Sequence, residues 1–504
     1  PIAAAPEAAE RHEAGEAPDE PPSRSRERVF TPTDALAYAQ QHRREYQNTK
    51  EDLYLVALAL TLERHLWTPQ FAGSLRTVYG NFGEDRNFDQ AMRFVADLSA
   101  AQRLPYGGRF TAQAISTLIR DVGQSITAAE GSEAVLGLEV PLLRGAGHVQ
   151  REQLIQLERS LTYAVRSFER FRRAQLVEVA GAYFDLLSSK QGVLDAQTSL
   201  RDARLDYVRA RALEEQDTGE SITLPLDTRR AQQRLLSEEN RLAQLREAFR
   251  FATDRFKLQI GMPVDERIGL DDLEDIELIQ EAIADGRYPL LRRPTAVDLS
   301  DLALEVALAR RLDLLSARDQ IEDARRGVNL ARNALLPDLD WISSLRFDTD
   351  PNHYRMARLH YNRANWRTEM ILSLDDRFRE KNDYRASLID LRRAQRTAED
   401  VAERVRVDVR RARSLILLQE QVIQIQIANV AVAEFRRAYA RQRFNDGDLG
   451  NRDVVEAENE WTDARNALNA ARTDAWSALL AFRLATETLR VDEQGVQYDD
   501  AGLW

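Results

Sequence analysis

The segment EAVLGLEVPLLRGAGHVQREQLIQLERSL, residues 133–161, changes its periodicity abruptly. In its first part Leu136, Leu138 and Val140 alternate with small or polar residues, so these apolar side chains share one face of an extended chain. After the Arg-Gly-Ala-Gly link, leucines recur every three or four residues, which is the spacing of a helix. The segment therefore predicts a two-faced strand that runs directly into a helix.

Long stretches without helix-breaking residues follow this link. No proline lies between Pro141 and Pro225, and no glycine lies between Gly327 and Gly447. Within the second stretch, apolar residues repeat as in a coiled-coil seam, at Val405, Val409, Ala412, Ile416, Ile423, Ile427 and Val430. A helix over residues 377–444 would be roughly 100 Å long at about 1.5 Å per residue, so it must pack beside other helices.

Each long helix is followed by a polar turn and a second helix, a pattern typical of a helical hairpin. Alternating apolar residues precede each long helix, which predicts strands in both halves. The apolar positions of these strands are Phe71, Leu75, Tyr79, Met92, Phe94, Ala96, Leu98, Phe110, Ala112, Ala114, Leu339, Trp341, Leu345, Phe347, Trp366, Met370, Leu372 and Leu374. The halves also share short matches, such as LIQLER at 154–159 and LIDLRR at 388–393, which indicates an internal repeat.

This pattern divides the chain into two repeats with flanking segments. A disordered tail (1–31) precedes the first repeat (32–263), which has strands at 70–144, a long helix at 147–215 and a second helix to 260. A linker (264–298) leads to the second repeat (299–490), which has strands at 338–375, a long helix at 377–444 and a second helix at 451–490. A C-terminal tail (491–504) follows.

Composition excludes several classes of protein. The chain has no cysteine, so it forms no disulfide and no thiolate metal site. A net charge of −12 argues against nucleic acid as a partner, because phosphate binding favours a basic surface. No run approaches 18 apolar residues, so no transmembrane helix is expected, but alternating strands of about 10 residues can cross a membrane almost unnoticed by hydropathy. The sequence starts at Pro1 without a signal-peptide hydrophobic region, so we expect that a leader was removed or that the numbering begins inside the gene product.

No catalytic constellation is evident in the sequence. The six histidines show no metal-ligand spacing, and the glycine-rich segment RGAGH lacks the lysine and spacing of a phosphate loop. We therefore expect no enzyme activity, cofactor or metal. One acidic feature does stand out, because Asp453 and Glu456 lie three residues apart and share a helix face directly after the second turn. The simpler interpretation is a pair of acids stabilised by the helix dipole.

The chain resembles the TolC family of outer-membrane efflux proteins. The resemblance covers about residues 32–490 and rests on VPLLRGAG (140–147), LSLDDR (372–377), GDLGNRDVVEAENEWTDARNAL (447–468) and the two half-chain repeats. It implies a mainly α protomer with a transmembrane β part, which gives strands to a shared trimeric β-barrel and long helical hairpins to an α-helical tunnel. Three chains would each give four strands to a 12-stranded barrel. The first half has about twice the strand region of the second, and we interpret the surplus as an extra extracellular hairpin.

The resemblance also implies a function. It predicts a homotrimeric passive outer-membrane channel with a large periplasmic part, serving a tripartite efflux or type I secretion system together with a periplasmic adaptor and an inner-membrane pump. Asp453 and Glu456 would line the periplasmic entrance, and Leu136, Leu138 and Val140 would face lipid. The gate-bracing arginine of the family falls on Leu449 here, with Arg452 as a substitute. The tips that would contact the adaptor comprise Gly219, Leu224, Pro225, Gly447, Leu449 and Arg452.

Two alternatives fit the same patterns. The chain could be a soluble coiled-coil scaffold whose strands form a small sheet domain, or a periplasmic structural tube without transport. A scaffold gives no reason to place aromatic and leucine side chains on one exposed face of several strands.

Overall fold

The structure is a computed structural model that combines one large sheet with long helical hairpins. It describes residues 28–81, 90–121, 129–216, 224–270, 301–349, 362, 364–446, 448–492 and 495–498. The large sheet contains strands from both halves of the sequence, as the alternating pattern predicts.

Six strands form this sheet in the order β2-β3-β4-β5-β7-β8, and every neighbouring pair is antiparallel. The strands are β2 (Gln70–Asn81), β3 (Gln90–Arg103), β4 (Arg109–Asp121), β5 (Ala129–Pro141), β7 (Asp338–Asp348) and β8 (Asn365–Ser373). At 9 to 14 residues each, they have the length that tilted membrane-spanning strands need, about 9–11 residues.

The register places the predicted apolar residues of all six strands on one face. Leu136 of β5 lies opposite Ala112 of β4 and Leu345 of β7, and Leu345 in turn lies opposite Trp366 of β8. The other face, called the polar face here, carries most of the charged side chains beside aliphatic ones such as Val135 and Ile342. It is held by side-chain bonds such as Gln113 Nε2 to Asp97 Oδ2 (2.6 Å) and Arg346 Nη2 to Glu133 Oε2 (2.7 Å). The sheet is therefore amphipathic across its whole width.

The number of strands differs from the expectation. All four strands of the first half join the sheet, so one chain contributes six strands and not four. The turn between β3 and β4 also lies at the helical end of the sheet, because the Gly147 amide donates to the Tyr106 carbonyl at 2.8 Å. The surplus is thus part of the sheet, and its interpretation as an extra extracellular hairpin is wrong.

Eight α-helices accompany this sheet among the described residues. They are α1 (Pro32–His42), α2 (Arg44–Leu66), α3 (Glu152–Gln216), α4 (Leu224–Ile260), α5 (Asp301–Arg310), α6 (Leu312–Asn333), α7 (Phe378–Asn445) and α8 (Asn451–Ala485). Helices α3 and α4 form one hairpin, and α7 and α8 form the other. Helix α2 packs along α3, and α6 packs along α7, so four helices run below the sheet at every level.

The main core lies midway along the long helices, where the two hairpins meet. Phe184 of α3 packs on Trp476 of α8 with ring centroids 5.1 Å apart, and Phe256 of α4 joins them through Tyr183. The Ala412 and Ile416 side chains of α7 are buried in the same cluster. The first half of the predicted seam therefore packs against other helices of the same chain.

Short strands near this core correct three predicted boundaries. Strand β1 (Arg28–Phe30) pairs in parallel with β6 (Ile268–Leu270), so the end of the expected disordered tail (1–31) and part of the linker (264–298) are structured. Helix α8 ends at Ala485, before the predicted residue 490. Strands β9 (Leu489–Asp492) and β10 (Gly495–Tyr498) form a hairpin in the expected C-terminal tail (491–504).

An ionic cluster joins α3 to α6 between the core and the sheet. Asp323 accepts hydrogen bonds from Arg159 (2.8 Å), Arg326 (2.7 Å) and the Tyr163 hydroxyl. Burial alone would raise the pKa of Asp323, but these hydrogen bonds outweigh it and lower the pKa. Burial and the bond to Asp323 raise the pKa of Tyr163 to about 12. The carboxylate and the neutral phenol are thus the forms that the folded chain stabilises.

The second half of the α7 seam is covered only in part. Of its residues Ile427 is exposed and Ile423 and Val430 are half-buried, and the neighbouring Ile425, Val432 and Phe435 are exposed as well. An 18-residue window between Phe378 and Phe444 is long and apolar enough to cross a membrane by length and composition alone. Only 6% of that window is buried, whereas α8 beside it carries charged residues such as Arg465 and Asp474. Because those charges would enter the lipid together with α7, we interpret the window as a surface for packing against another helix.

Candidate functional site: the hairpin tips and the sheet face

The tip of the second hairpin is tightly packed next to its turn. Helix α8 begins after Gly450, whose extended backbone forms the N-cap, and Val454 and Ala457 then pack against Ala440 of α7. All three side chains are buried, because small residues let the two helices approach closely. This packing leaves the residues just before Val454 and Ala457 on the outer surface of the hairpin.

Asp453 and Glu456 occupy those outward positions, and both are exposed. Their surroundings differ. Glu456 Oε1 lies 3.9 Å from Arg436 Nη2, and Arg436 also binds Glu460, so part of the negative charge of Glu456 is compensated. Asp453 has no described ion pair and carries its charge at the helix N-terminus, where the helix dipole favours an anion. The structure thus separates the two acids into a compensated and an uncompensated one.

Arg441 of α7 is a tip residue that sequence reasoning missed. Its Nε forms an ion pair with Glu458 Oε1 of α8 at 2.6 Å, and its Nη2 donates to Asp202 Oδ2 of α3 at 3.2 Å. The Glu458 side chain is only 6% exposed, so this ion pair is largely shielded from water. Arg441 therefore links the two hairpins near their tips. Local spacing could reveal neither partner, since Asp202 lies 239 residues away in the sequence.

The other predicted tip residues are less informative. Arg452 is exposed and Leu449 is half-buried in the turn, and no described bond links either to the first hairpin. Leu224 and Pro225 begin α4, but their side chains lie outside what the structure describes, and Gly219 and Gly447 lie outside the described residues altogether. Of the residues described at this tip, Arg441 and not Arg452 links the two hairpins, and the bracing role expected of Arg452 stays a prediction.

The predicted lipid-facing residues lie on the apolar face of the sheet. Leu136 is 39% exposed, and Leu138 and Val140 are half-buried by their neighbours on the same face. The two tryptophan indole N–H groups on this face each donate to a hydroxyl group of the adjacent strand. Trp341 Nε1 donates to Thr368 Oγ1 at 2.8 Å, and Trp366 Nε1 donates to Ser343 Oγ at 3.1 Å. Such pairing suits an environment without water, where an unpaired donor is costly.

Metal chemistry finds no support in the described part of the chain. Among those residues, no group of three or more His, Asp or Glu side chains could hold a metal ion. The described residues form an amphipathic sheet and two long helical hairpins with charged tips.

Comparison with known proteins agrees with this geometry. Residues 303–487 match the family model described as outer membrane efflux protein. No curated protein sequence matches the chain.

Solved structures resemble the chain over nearly its full length. The CmeC outer membrane channel of Campylobacter jejuni aligns with a TM-score of 0.64 at 12% identity, covering 98% of this chain and 95% of that one. The MtrE outer membrane channel of Neisseria gonorrhoeae gives 0.64 at 14% identity, covering 90% of this chain and 88% of that one. The outer membrane protein VceC of Vibrio cholerae gives 0.60 at 13% identity, covering 90% and 95%.

These likenesses confirm the predicted fold class and the family resemblance drawn from the sequence. The chain has the fold of the outer-membrane efflux channels, and over residues 303–487 it matches the outer membrane efflux protein family.

Proposed function

We propose that this chain is one subunit of a homotrimeric outer-membrane channel, a passive exit duct of a tripartite efflux or type I secretion system. The observation that carries the proposal is the six-stranded sheet, one face of which collects the large apolar side chains of all six strands. Phe71, Leu75 and Trp366 on that face are 77%, 78% and 69% exposed. A soluble protein rarely leaves so large an apolar surface in water, whereas lipid would cover it without cost.

The helices support an assembly of several copies. The uncovered apolar residues fall on both flanks of the chain, on α7 at one side and on α2 and α4 at the other. They include Phe435 and Val432 on α7, Leu55 and Leu62 on α2, and Phe251 and Leu258 on α4. Two complementary flanks on one chain suit a closed ring, in which each copy covers the next. A coiled-coil scaffold could use these flanks too, but it would leave the apolar sheet face unexplained.

The partners follow from the two ends of the molecule. The sheet end would lie in the outer membrane and the helices would extend into the periplasm. The hairpin tips would then be the part farthest from the membrane, and there a periplasmic adaptor linked to an inner-membrane pump would dock. Such a duct needs no chemistry of its own, since its selectivity comes from the charges that line its entrance.

The acidic pair gives a test of this entrance. Around a three-fold axis, Asp453 and Glu456 would form two stacked carboxylate rings, which concentrate cations and repel anions. We expect the Asp453→Ala, Glu456→Ala double variant to lose cation selectivity and block by multivalent cations in single-channel recordings, with trimer yield unchanged. Because Arg436 compensates Glu456, Asp453→Ala alone should cause most of the loss.

A matched control separates this effect from a general loss of charge. Asp390 is a well-exposed acid on α7 that pairs with Arg393, far from the tip. Asp390→Ala should leave selectivity and block unchanged. If the double variant also leaves both unchanged, the pair consists of ordinary helix-start acids, worth about 0.3–1 kcal/mol each.

A further inference from the structure

The six-stranded sheet ends in two outer strands, β2 and β8. Every residue of β8 is exposed, and so are residues 71–79 of β2. In the part of the chain that the structure describes, each of these strands has a neighbouring strand on one side only. An open sheet edge is not tolerated in the hydrocarbon of a membrane, so each edge needs a partner.

We infer that β2 of one copy pairs with β8 of the next, so that three copies close an 18-stranded barrel in place of a 12-stranded one. This inference rests on the trimer of the proposed function. The partner is thus a second copy of this chain, and the interaction surface is the backbone edge of β2 and β8.

The strand directions allow this closure. Six strands that alternate in direction end with β8 antiparallel to β2. When β8 meets β2 of the next copy, the alternation continues without a break. An even number of strands per copy therefore closes into a wholly antiparallel barrel, the form that spans outer membranes.

The additional strands are too firmly integrated to lie outside the wall. Strand β3 occupies the edge of β4 with a ladder that runs from Ala91–Asp121 to Arg103–Arg109, so no other strand could pair there. A barrel that used only four strands of each chain would have to break this ladder.

The turn between these strands is also docked against the link from strand to helix. Gly108 has φ +112°, and a Cβ on it would lie 2.5 Å from the Glu139 carbonyl oxygen. A Cβ on Gly107 would lie 2.9 Å from the Gly145 carbonyl oxygen. At the base of β3, Arg103 Nη1 binds Glu63 Oε1 of α2 at 3.2 Å, and the Glu63 side chain is only 4% exposed. The turn and the strand base are therefore held where the wall meets the helices.

The stagger of the sheet fits an 18-stranded closure. A row of paired residues that starts at Gln70, the first residue of β2, passes through Ala101, Thr111, Gly137 and Ser344 and reaches Arg367 in β8. Arg367 lies six residues before Ser373, the helical end of β8. If the helical ends of neighbouring copies are level, the pairing register shifts by six residues over the six strands of one copy. The barrel register therefore shifts by one residue per strand. That ratio corresponds to a strand tilt of about 36°, within the range of about 35–45° for outer-membrane barrels.

The resulting wall matches the helical tube in width. With strands about 4.8 Å apart and tilted by about 36°, 18 strands give a radius of roughly 17 Å. Three copies of four helices, at about 8–10 Å between axes, form a ring with a radius of roughly 15–19 Å. The channel therefore continues from tube to barrel without a step. The edges also agree, because β2 follows α2 and β8 precedes α7, the helices that carry the uncovered flanks.

The stagger predicts which residues meet, and the absence of cysteine makes the test simple. It places Ser74 of one copy beside Glu369 of the partner subunit, both on the polar face. In one chain these residues lie five strand spacings apart, roughly 24 Å, so a disulfide between them must join two copies. We expect Ser74→Cys with Glu369→Cys, or with one of its polar-face neighbours Arg367→Cys and Ile371→Cys, to give covalent dimers and trimers upon oxidation in outer membranes.

The control pair is Ser74→Cys with Thr368→Cys, which places the second thiol on the opposite face of β8 and should give no covalent product. The strand count in a density map of the detergent-extracted protein decides the same question directly, and we expect 18 strands around the axis. A trimer that shows 12 strands, and no specific link in any of the three pairs, would overturn the 18-stranded barrel and leave the channel intact. If the unmodified protein forms no trimer, it is the proposed function that fails.

Discussion

Leu136→Arg is expected to abolish most of the assembled trimer. Leu136 lies in the middle of β5, on the apolar face, with Ala112 and Leu345 as its cross-strand neighbours. An arginine on the lipid face near the bilayer centre costs about 2–4 kcal/mol, and three copies would carry this cost together, on the order of 6–12 kcal/mol per trimer. The measurement is the amount of heat-modifiable trimer in isolated outer membranes, compared between the variant and the unmodified protein at equal expression.

Gln113→Arg is the matched control for this substitution. Gln113 lies next to Ala112 in β4 but on the polar face, where its side chain bonds to Asp97. An arginine there would face Asp97 and the polar side, so trimer yield should change little. Equal losses from both substitutions would contradict a lipid-facing wall and favour a sheet that is surrounded by water on both faces.

Gly261→Ala is expected to have a comparably large effect, on the helical part. Gly261 follows the last residue of α4 with φ +82°, and its Cα lies close to the backbone that joins α1 to α2. A Cβ there would lie 2.4 Å from the His42 carbonyl oxygen and 2.7 Å from the Arg43 amide nitrogen, distances that no repacking of side chains can relieve. With the strain of a left-handed conformation added, we expect a loss on the order of 3 kcal/mol or more per chain. A lowered midpoint of thermal unfolding of the extracted trimer, with earlier proteolysis near residue 43, measures it.

Gly181→Ala serves as the comparison. Gly181 lies inside α3, and an added Cβ would meet no heavy atom within 4 Å. Alanine is the better helix former by about 1 kcal/mol, so this variant should unfold at the same or a higher temperature. If the two variants behaved alike, the close contact between the end of α4 and the start of α2 would not contribute to stability.

Much of this fold follows from periodicity. The change from a two-residue to a helical repeat around Arg144 predicted the passage from β5 to α3, because burial on one face requires that spacing in each structure. Likewise, the apolar positions from Phe71 to Leu372 indicated strands with one common face. Periodicity depends only on neighbouring residues, and so it could recover the strands of the large sheet and their faces.

The strand count could not be obtained in that way. Alternation shows that a strand exists but does not show which strand pairs with it, and pairing here joins residues far apart in the sequence, such as Leu136 of β5 and Leu345 of β7. Strands β1 and β6 are three residues long and pair across more than 200 residues, too short for any periodicity to register. The resemblance to four-stranded protomers then led to the wrong count.

The candidate site shows the same division. The outward positions of Asp453 and Glu456 follow from their spacing and from the turn before them, and both are exposed as that spacing implies. The spacing does not show that Glu456 is compensated by a cation and Asp453 is not, because Arg436 lies on the opposite helix of the hairpin. Arg441 was missed because its role depends on α3, α7 and α8 meeting at one point.

The central claim, that three copies of this chain form one outer-membrane channel, is tested most directly by the native mass of the protein extracted from outer membranes in detergent. We predict a species of three 57.5 kDa chains that converts to single chains only upon heating in denaturant. A stable monomer that remains soluble in buffer without detergent would contradict the account, because the apolar sheet face and the edges of β2 and β8 would then be satisfied without lipid or partner.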